Sequence, residues 1–224
     1  MNLELNIAKR YLFSKKSTNA INIISLVSGV AMLFGTMALI LVLSVFNGLE
    51  GLVKSLYAVF YPDIAVSAIE GKTFEITPSL RDKLKSIHYI DAYSFTLEEN
   101  ALLEYSDRQH ICTIKGVDKN YFNVVNKFDT FIVEGKKLLQ QDSINYGIVG
   151  VGVAQKLGMD PARAFNPIAL YIPKKTGASF STLENAFNKS YVTPSGAFAV
   201  SDEFDSRYTF VPLDFFQQLT DNSG

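Results

Sequence analysis

The stretch Ile21–Phe46, INIISLVSGVAMLFGTMALILVLSVF, decides how this chain is organised. It sits in a longer gap between Lys16 and Glu50 that holds no charged residue. Its 26 residues exceed the roughly 20 that carry a helix across a hydrocarbon core of about 30 Å. A helix that is apolar all round needs a membrane or a very large core to cover it. A secretory signal fits less well. Its apolar region is about 7–15 residues and closes on a small-residue cleavage site, whereas this run leaves through Leu43-Ser44-Val45-Phe46-Asn47-Gly48. The expectation is one membrane-spanning helix near the N-terminus, followed by a globular domain.

Charge gives the span a direction. The 224 residues carry 21 Lys and Arg against 22 Asp and Glu, a net charge of −1. Up to Asn19, however, Lys9, Arg10, Lys15 and Lys16 face Glu4 alone, so that segment is +3 and the remainder −4. Basic residues beside a span favour the cytoplasmic side, which places Met1 inside and the large domain outside. Leu3, Ile7, Ala8, Tyr11 and Leu12 recur three and four apart with Lys9 and Arg10 turned away, the pattern of a short interfacial amphipathic helix. Ser17-Thr18-Asn19 offers caps for the next helix. Within the span, Ser25, Gly29, Met32 and Thr36 share one stripe, and Ser25 and Gly29 have the small-xxx-small spacing that admits a second helix. Beyond it, Leu49, Leu52, Val53, Leu56 and Phe60 continue the helical period as a stalk until Tyr61-Pro62. The divisions read from the sequence are a cytoplasmic segment 1–20, a membrane helix 21–47, a stalk 48–60 and a domain 61–224.

From Asp63 the period changes. Asp63-Ile64-Ala65-Val66-Ser67 alternates as a strand does, and Thr77-Pro78 opens a helix through Ile87. Strands are expected at Tyr93–Tyr105, with an interruption, and at His110–Val117, then a short helix over Asp118–Val125. Tyr146–Val149 predicts a strand, Val151–Leu157 a helix closed by Gly158, and Pro167–Ile172 another strand. Lys174–Pro194 is polar and irregular. Strands at Gly196–Val200 and Arg207–Val211 and a helix over Pro212–Leu219 complete an α+β domain.

The residues offer little chemistry. Cys112 is the only cysteine, so no internal disulfide forms, and its alternating surroundings predict a buried thiol. His88 and His110 have no metal-ligand spacing with each other or with Cys112. Glu98-Glu99 and Asp202-Glu203 are adjacent pairs, which in a strand point to opposite faces. Gly147-Ile148-Val149-Gly150-Val151-Gly152 sits between strand and helix like a phosphate-binding turn, but Gln155 stands three past Gly152 and no Walker lysine follows. The acidic exterior with scattered lysines gives no nucleic-acid surface. The reading is of a chain that is not an enzyme and carries no cofactor.

Several segments resemble, in order, the lipoprotein-releasing permeases of ABC transporters, within the FtsX-type, MacB-like group. Ala38-Leu39-Ile40-Leu41-Val42-Leu43-Ser44-Val45-Phe46-Asn47-Gly48 is similar to the end of that family's first membrane helix, with Arg10-Tyr11-Leu12 upstream. Ile114-Lys115-Gly116-Val117-Asp118 resembles the G-V-D turn of its exterior domain, and Gly150–Gly158 its G-x-x-L-A-x-x-L-G stretch. Ala169-Leu170-Tyr171-Ile172-Pro173 and Phe198-Ala199-Val200 followed by Asp205 fit as well.

The resemblance implies a non-catalytic permease subunit in the bacterial inner membrane, with a MacB-like periplasmic domain between its first and second helices. Gly224 falls where the family enters the second helix, so the expectation is either that the sequence is a fragment of a longer chain or that the remaining helices lie elsewhere. Implied partners are a separate cytoplasmic ATPase, a second permease subunit, a lipoprotein extracted from the outer leaflet and a periplasmic carrier. Val42, Phe46 and Leu49 would face the substrate at the outer leaflet. Lys174–Pro194 falls where one class of these permeases has its carrier-recruiting hairpin, and Phe180, Leu183 and Phe187 stand there as candidate docking residues. Two other readings remain: a permease of the group acting on efflux or cell-wall partners, and a single-span scaffold or sensor.

Overall fold

The structure, a computed structural model, describes residues 3–12, 19–57, 62–125, 128–164, 166–174 and 186–221. It divides into two compact units, Met1–Lys54 and Ser55–Gly224.

The first unit is helical. Helix α1 (Leu3–Leu12) carries Glu4 in its first turn and Lys9 and Arg10 in its last, the arrangement that complements the helix dipole. Helix α2 (Asn19–Tyr57) is continuous over 39 residues. Its 33-residue part Asn22–Lys54 is long and apolar enough to cross a membrane, and its most apolar window has no buried residue. At 1.5 Å per residue that part is about 50 Å long, against about 30 Å of hydrocarbon. Glu50 and Lys54, one turn apart, pair at 2.6 Å where charge first returns.

The second unit is α+β. After helix α3 (Pro78–Ser86) come strands β1 (Thr96–Tyr105) and β2 (Arg108–Val117), helix α4 (Tyr121–Val124) and a 3-10 turn at Phe128–Phe131. Strands β3 (Ile132–Gly135), β4 (Gln140–Gln141) and β5 (Ile144–Gly150) lead into helix α5 (Val151–Leu157). Strands β6 (Ile168–Pro173) and β7 (Phe187–Phe198), helix α6 (Asp202–Asp205), strand β8 (Tyr208–Pro212) and helix α7 (Leu213–Leu219) follow. Hydrogen-bonded neighbours run β6-β1-β2-β8-β5-β7 and return from β7 to β6, so six strands close a ring of pairings. Edge strands β3 and β4 attach to β7 and β5.

Both faces of the central strands are covered. Val149, Ala197 and Val211 lie in one core with Leu103, Ile114, Leu170 and Phe216, while their neighbours Ile148, Phe198 and Phe210 lie in a second with Tyr121 and Phe128. Period two sends adjacent residues to opposite faces, and a strand buried on both faces loses its polar alternation. That is why Ile148-Val149 and Phe210-Val211 are apolar in pairs. In the second core the Phe128, Phe198 and Phe210 rings sit 5.2–5.7 Å apart, tilted or edge to face, the arrangement that aromatic quadrupoles favour.

Three expectations are corrected. Asp63–Ser67 is not a strand: Ile64 is 82% and Val66 74% exposed, and among the described residues no partner strand meets them. The first strand of the β1–β2 hairpin is not interrupted but starts later, at Thr96, because Asp118 ties down Ser94 and Phe95 ahead of it. Lys174–Pro194 is not irregular throughout, since β7 begins at Phe187 and runs through Pro194 to Phe198.

Candidate functional site

On α2 the sequence singles out two groups. Ser25, Gly29, Met32 and Thr36 are all exposed, and a Cβ added at Gly29 would meet nothing within 4 Å. The Thr36 hydroxyl donates to the carbonyls of Met32 at 2.9 Å and Leu33 at 3.0 Å. A hydroxyl in an apolar setting has to be satisfied, and here the helix's own preceding turn does it. Val42, Phe46 and Leu49 are 52%, 65% and 54% exposed, so their side chains present apolar surface that the chain leaves uncovered.

In the domain, Phe180 and Leu183 lie outside the described residues. Phe187 is described, half-buried at the start of β7 and paired across to Pro173. The hairpin joining β6 and β7 is well anchored at its base. Lys174 donates its backbone N–H to the Ala186 carbonyl at 2.9 Å, and the Asn188 amide donates to the Leu219 carbonyl and the Asp221 carboxylate, both at 2.9 Å. Lys189 stands over the rings of Tyr171 at 4.7 Å and Tyr191 at 5.2 Å. Hydrogen bonds that its ammonium donates to the Tyr171 and Tyr191 hydroxyl oxygens raise its pKa above the ordinary value. This aromatic–cation group was missed in the sequence. Lys189 and Tyr191 stand two apart, a strand signal, in a stretch read as irregular.

The motif residues have structural roles. The carboxylate of Asp118 accepts from the Ser94 hydroxyl at 2.6 Å, the Phe95 N–H at 2.9 Å and the Asn120 N–H at 3.0 Å, and so fixes the turn after β2. Gly116 lets α7 seat closely, because an added Cβ would lie 2.9 Å from Phe216 Cβ. Gly150 and Gly152 face the backbone of Asp205 and Ser206, with no room for a side chain. The space over this strand-to-helix turn is therefore filled by the chain itself. Gly158 ends α5 in the left-handed region at φ 64°, where glycine carries no Cβ penalty. Asp205, nearly buried, accepts the Val200 N–H at 2.8 Å, and burial raises its carboxyl above the usual range.

The remaining reactive groups stand apart. Cys112 is buried beside the Thr209 hydroxyl at 3.7 Å, and burial pushes its thiol up to about 12, far from the thiolate that reactivity requires. His110 Nε2 lies 3.2 Å from the Ser206 carbonyl. Among the described residues no three His, Cys, Asp or Glu side chains gather as a metal site would need.

No family model and no curated protein matches the chain. Among solved structures there is a loose likeness to the extracellular domain of an ABC-type transporter. That structure is of the noncanonic transporter YknZ from Gram-positive bacteria, at 14% identity and a TM-score of 0.44, over 64% of this chain. The chain spans 65% of the length of that structure, somewhat less than two thirds.

Proposed function

We propose that the chain is the first membrane helix and exterior domain of an ABC transporter permease of the lipoprotein-releasing type. The observation that carries the reading is α2: an apolar helix of membrane-crossing length, unburied by its own chain, precedes an α+β domain in sequence. Such a chain has no catalytic work to do. Its work is mechanical, passing motion driven by a separate cytoplasmic ATPase to the exterior domain. In this reading Ser25, Gly29, Met32 and Thr36 face another membrane helix, of this permease or of a second permease subunit. Val42, Phe46 and Leu49 face the acyl chains of a lipoprotein at the outer leaflet, where burial of exposed apolar side chains is worth about 1.5–3 kcal/mol each. Phe180, Leu183 and Phe187 recruit a periplasmic carrier; of these Phe187 opens β7, where Asn188 and Lys189 hold the strand in place.

A photo-crosslinking amino acid at Val42, Phe46 or Leu49 tests the substrate assignment in native membranes. Capture of acylated lipoproteins at these positions, and not at Asn6 in α1, is the expected result. Capture of lipid alone at all three would refute it.

A further inference from the structure

Two features of the domain are left incomplete. The first is the segment Asp63–Ser67, which follows α2 in sequence. Ile64, Val66 and Ile69 are 82%, 74% and 102% exposed, and among the described residues none of the backbone groups of 63–67 takes part in a hydrogen bond. The chain bends at Asp63 and Ile64, and an alternating apolar segment with unpaired backbone is free to pair with an open strand edge. The second is β1. Its one edge pairs with β2 along its full length, from Thr96 to Tyr105, but the other meets β6 only at Leu102–Glu104. Thr96–Ala101 is thus an open edge, and the N–H of Asn100 turns to the neighbouring Glu99 carboxylate, at 3.2 Å, in place of a strand.

Helix α3 lies between these two features in sequence and buries none of its residues. Its apolar positions Leu80, Leu84 and Ile87 recur at helical spacing, yet Leu80 and Leu84 are only half-buried and Ile87 is 47% exposed. Beside Leu84 lies a shallow cleft of about 350 Å³ reaching Ile90, Tyr93 and Asn123. Two parallel strands need a crossover connection of a dozen or more residues, usually with a helix in it, and such a crossover is right-handed in about 98% of cases. Residues 68–95 supply that connection. Lys72, within it, already pairs with Glu99 on β1 at 2.7 Å, which keeps the connection beside the open edge.

We infer that Asp63–Ser67 docks in parallel along the open edge of β1, completing a β-α-β unit under α3. In the described state the unit is open. On docking, the backbone groups of 63–67 and of Thr96–Asn100 pair, and Ile64 and Val66 leave water together with the α3 stripe. The docking rests on local geometry alone. Its use as the joint through which α2 moves the exterior domain rests on the permease reading above.

The full chain in lipid nanodiscs, in a Cys112→Ser background, provides the test. Ala65→Cys is combined in turn with Thr96→Cys, Glu98→Cys and Asn100→Cys, and with Val133→Cys as an exposed control, and each pair is treated with a short bis-thiol crosslinker. Docking predicts crosslinks within one chain, several-fold more than the control, for at least one β1 position. Crosslinks between two chains, or yields equal to the control, would overturn it. Should the double variants fail to fold, hydrogen exchange of the unaltered chain decides. Docking slows the amides of 64–67 on the order of tenfold or more relative to an unpaired segment, and exchange at the unpaired rate overturns it. Loss of lipoprotein capture at Phe46 with docking intact refutes the permease reading and leaves the docked strand standing.

Discussion

Gly116→Ala measures how firmly α7 is seated on β2. The new methyl carbon would stand 2.9 Å from both Cβ and Cδ1 of Phe216 and 3.2 Å from its Cγ, where carbon atoms at rest keep about 3.5–4.0 Å. Phe216 is fully buried among Leu103, Ile114 and Leu170, so it has no free volume to retreat into. Inserting a methyl into such a core costs about 1–3 kcal/mol. For a domain of this size each kcal/mol lowers Tm by about 2–4 °C, so the drop falls between about 2 and 12 °C. The assay is thermal unfolding of the full chain in detergent, followed by the near-ultraviolet circular dichroism of the packed aromatic rings. A change below about 1 °C would show that α7 shifts freely and refute the close seating. A second arm locates the contact. In a Phe216→Ala background most of the crowding ring is gone, so the cost of Gly116→Ala shrinks, with a coupling of about 0.5–3 kcal/mol. Strict additivity of the two substitutions would mean that the ring is not what fills the space.

Further outcomes follow from single side chains. Asp118→Ala strips the Ser94, Phe95 and Asn120 donors of their acceptor and should cost about 1–3 kcal/mol in denaturant unfolding, while Asp118→Asn recovers part of it; equal stability of all three chains would contradict the role of the turn. Asp205 has a carboxyl raised above its ordinary value of 3.8 by burial, so the folded state holds that proton more tightly than the unfolded one. Its contribution to stability is whole below the unfolded pKa and is lost as pH rises through the folded one. Asp205→Asn, which keeps an acceptor for the Val200 N–H, should flatten that part of the profile of Tm against pH, and an unchanged profile would assign the slope elsewhere. Cys112, with its thiol pushed up to about 12, should resist a maleimide at neutral pH until denaturant is added, and rapid labelling of the native chain would place it nearer the surface.

Much of the architecture is legible in particular residues. Thr77-Pro78 announces α3, and the Thr77 hydroxyl does accept from the Leu80 N–H. Gly158 closes α5 because only its left-handed backbone turns the chain there. What misleads is pattern without context. Asp63–Ser67 alternates like a strand, but alternation specifies a face and not a neighbour. In β7 the outward side carries Lys189 and Tyr191, and Pro194 has no N–H for a ladder. Pro194 is tolerated because the β5–β7 register shifts beside it, from Pro194 opposite Gly147 to Gly196 opposite Ile148, a bulge that no local signal marks. Strands β3 and β4 contain only four and two residues and borrow their conformation from β7 and β5. The motif glycines and Asp118 were legible as a set, while their physical work, making room for Phe216 and Asp205 and tying the 94–95 segment, needed the fold.

The central claim is that α2 crosses a bilayer with the domain outside. In intact spheroplasts with Cys112 replaced by Ser, a membrane-impermeant maleimide should label a cysteine substituted for Tyr89, which is 94% exposed, and should leave one substituted for Asn6 untouched until the membrane is opened. Labelling of Asn6→Cys with Tyr89→Cys protected, or of both alike in intact cells, would contradict the account.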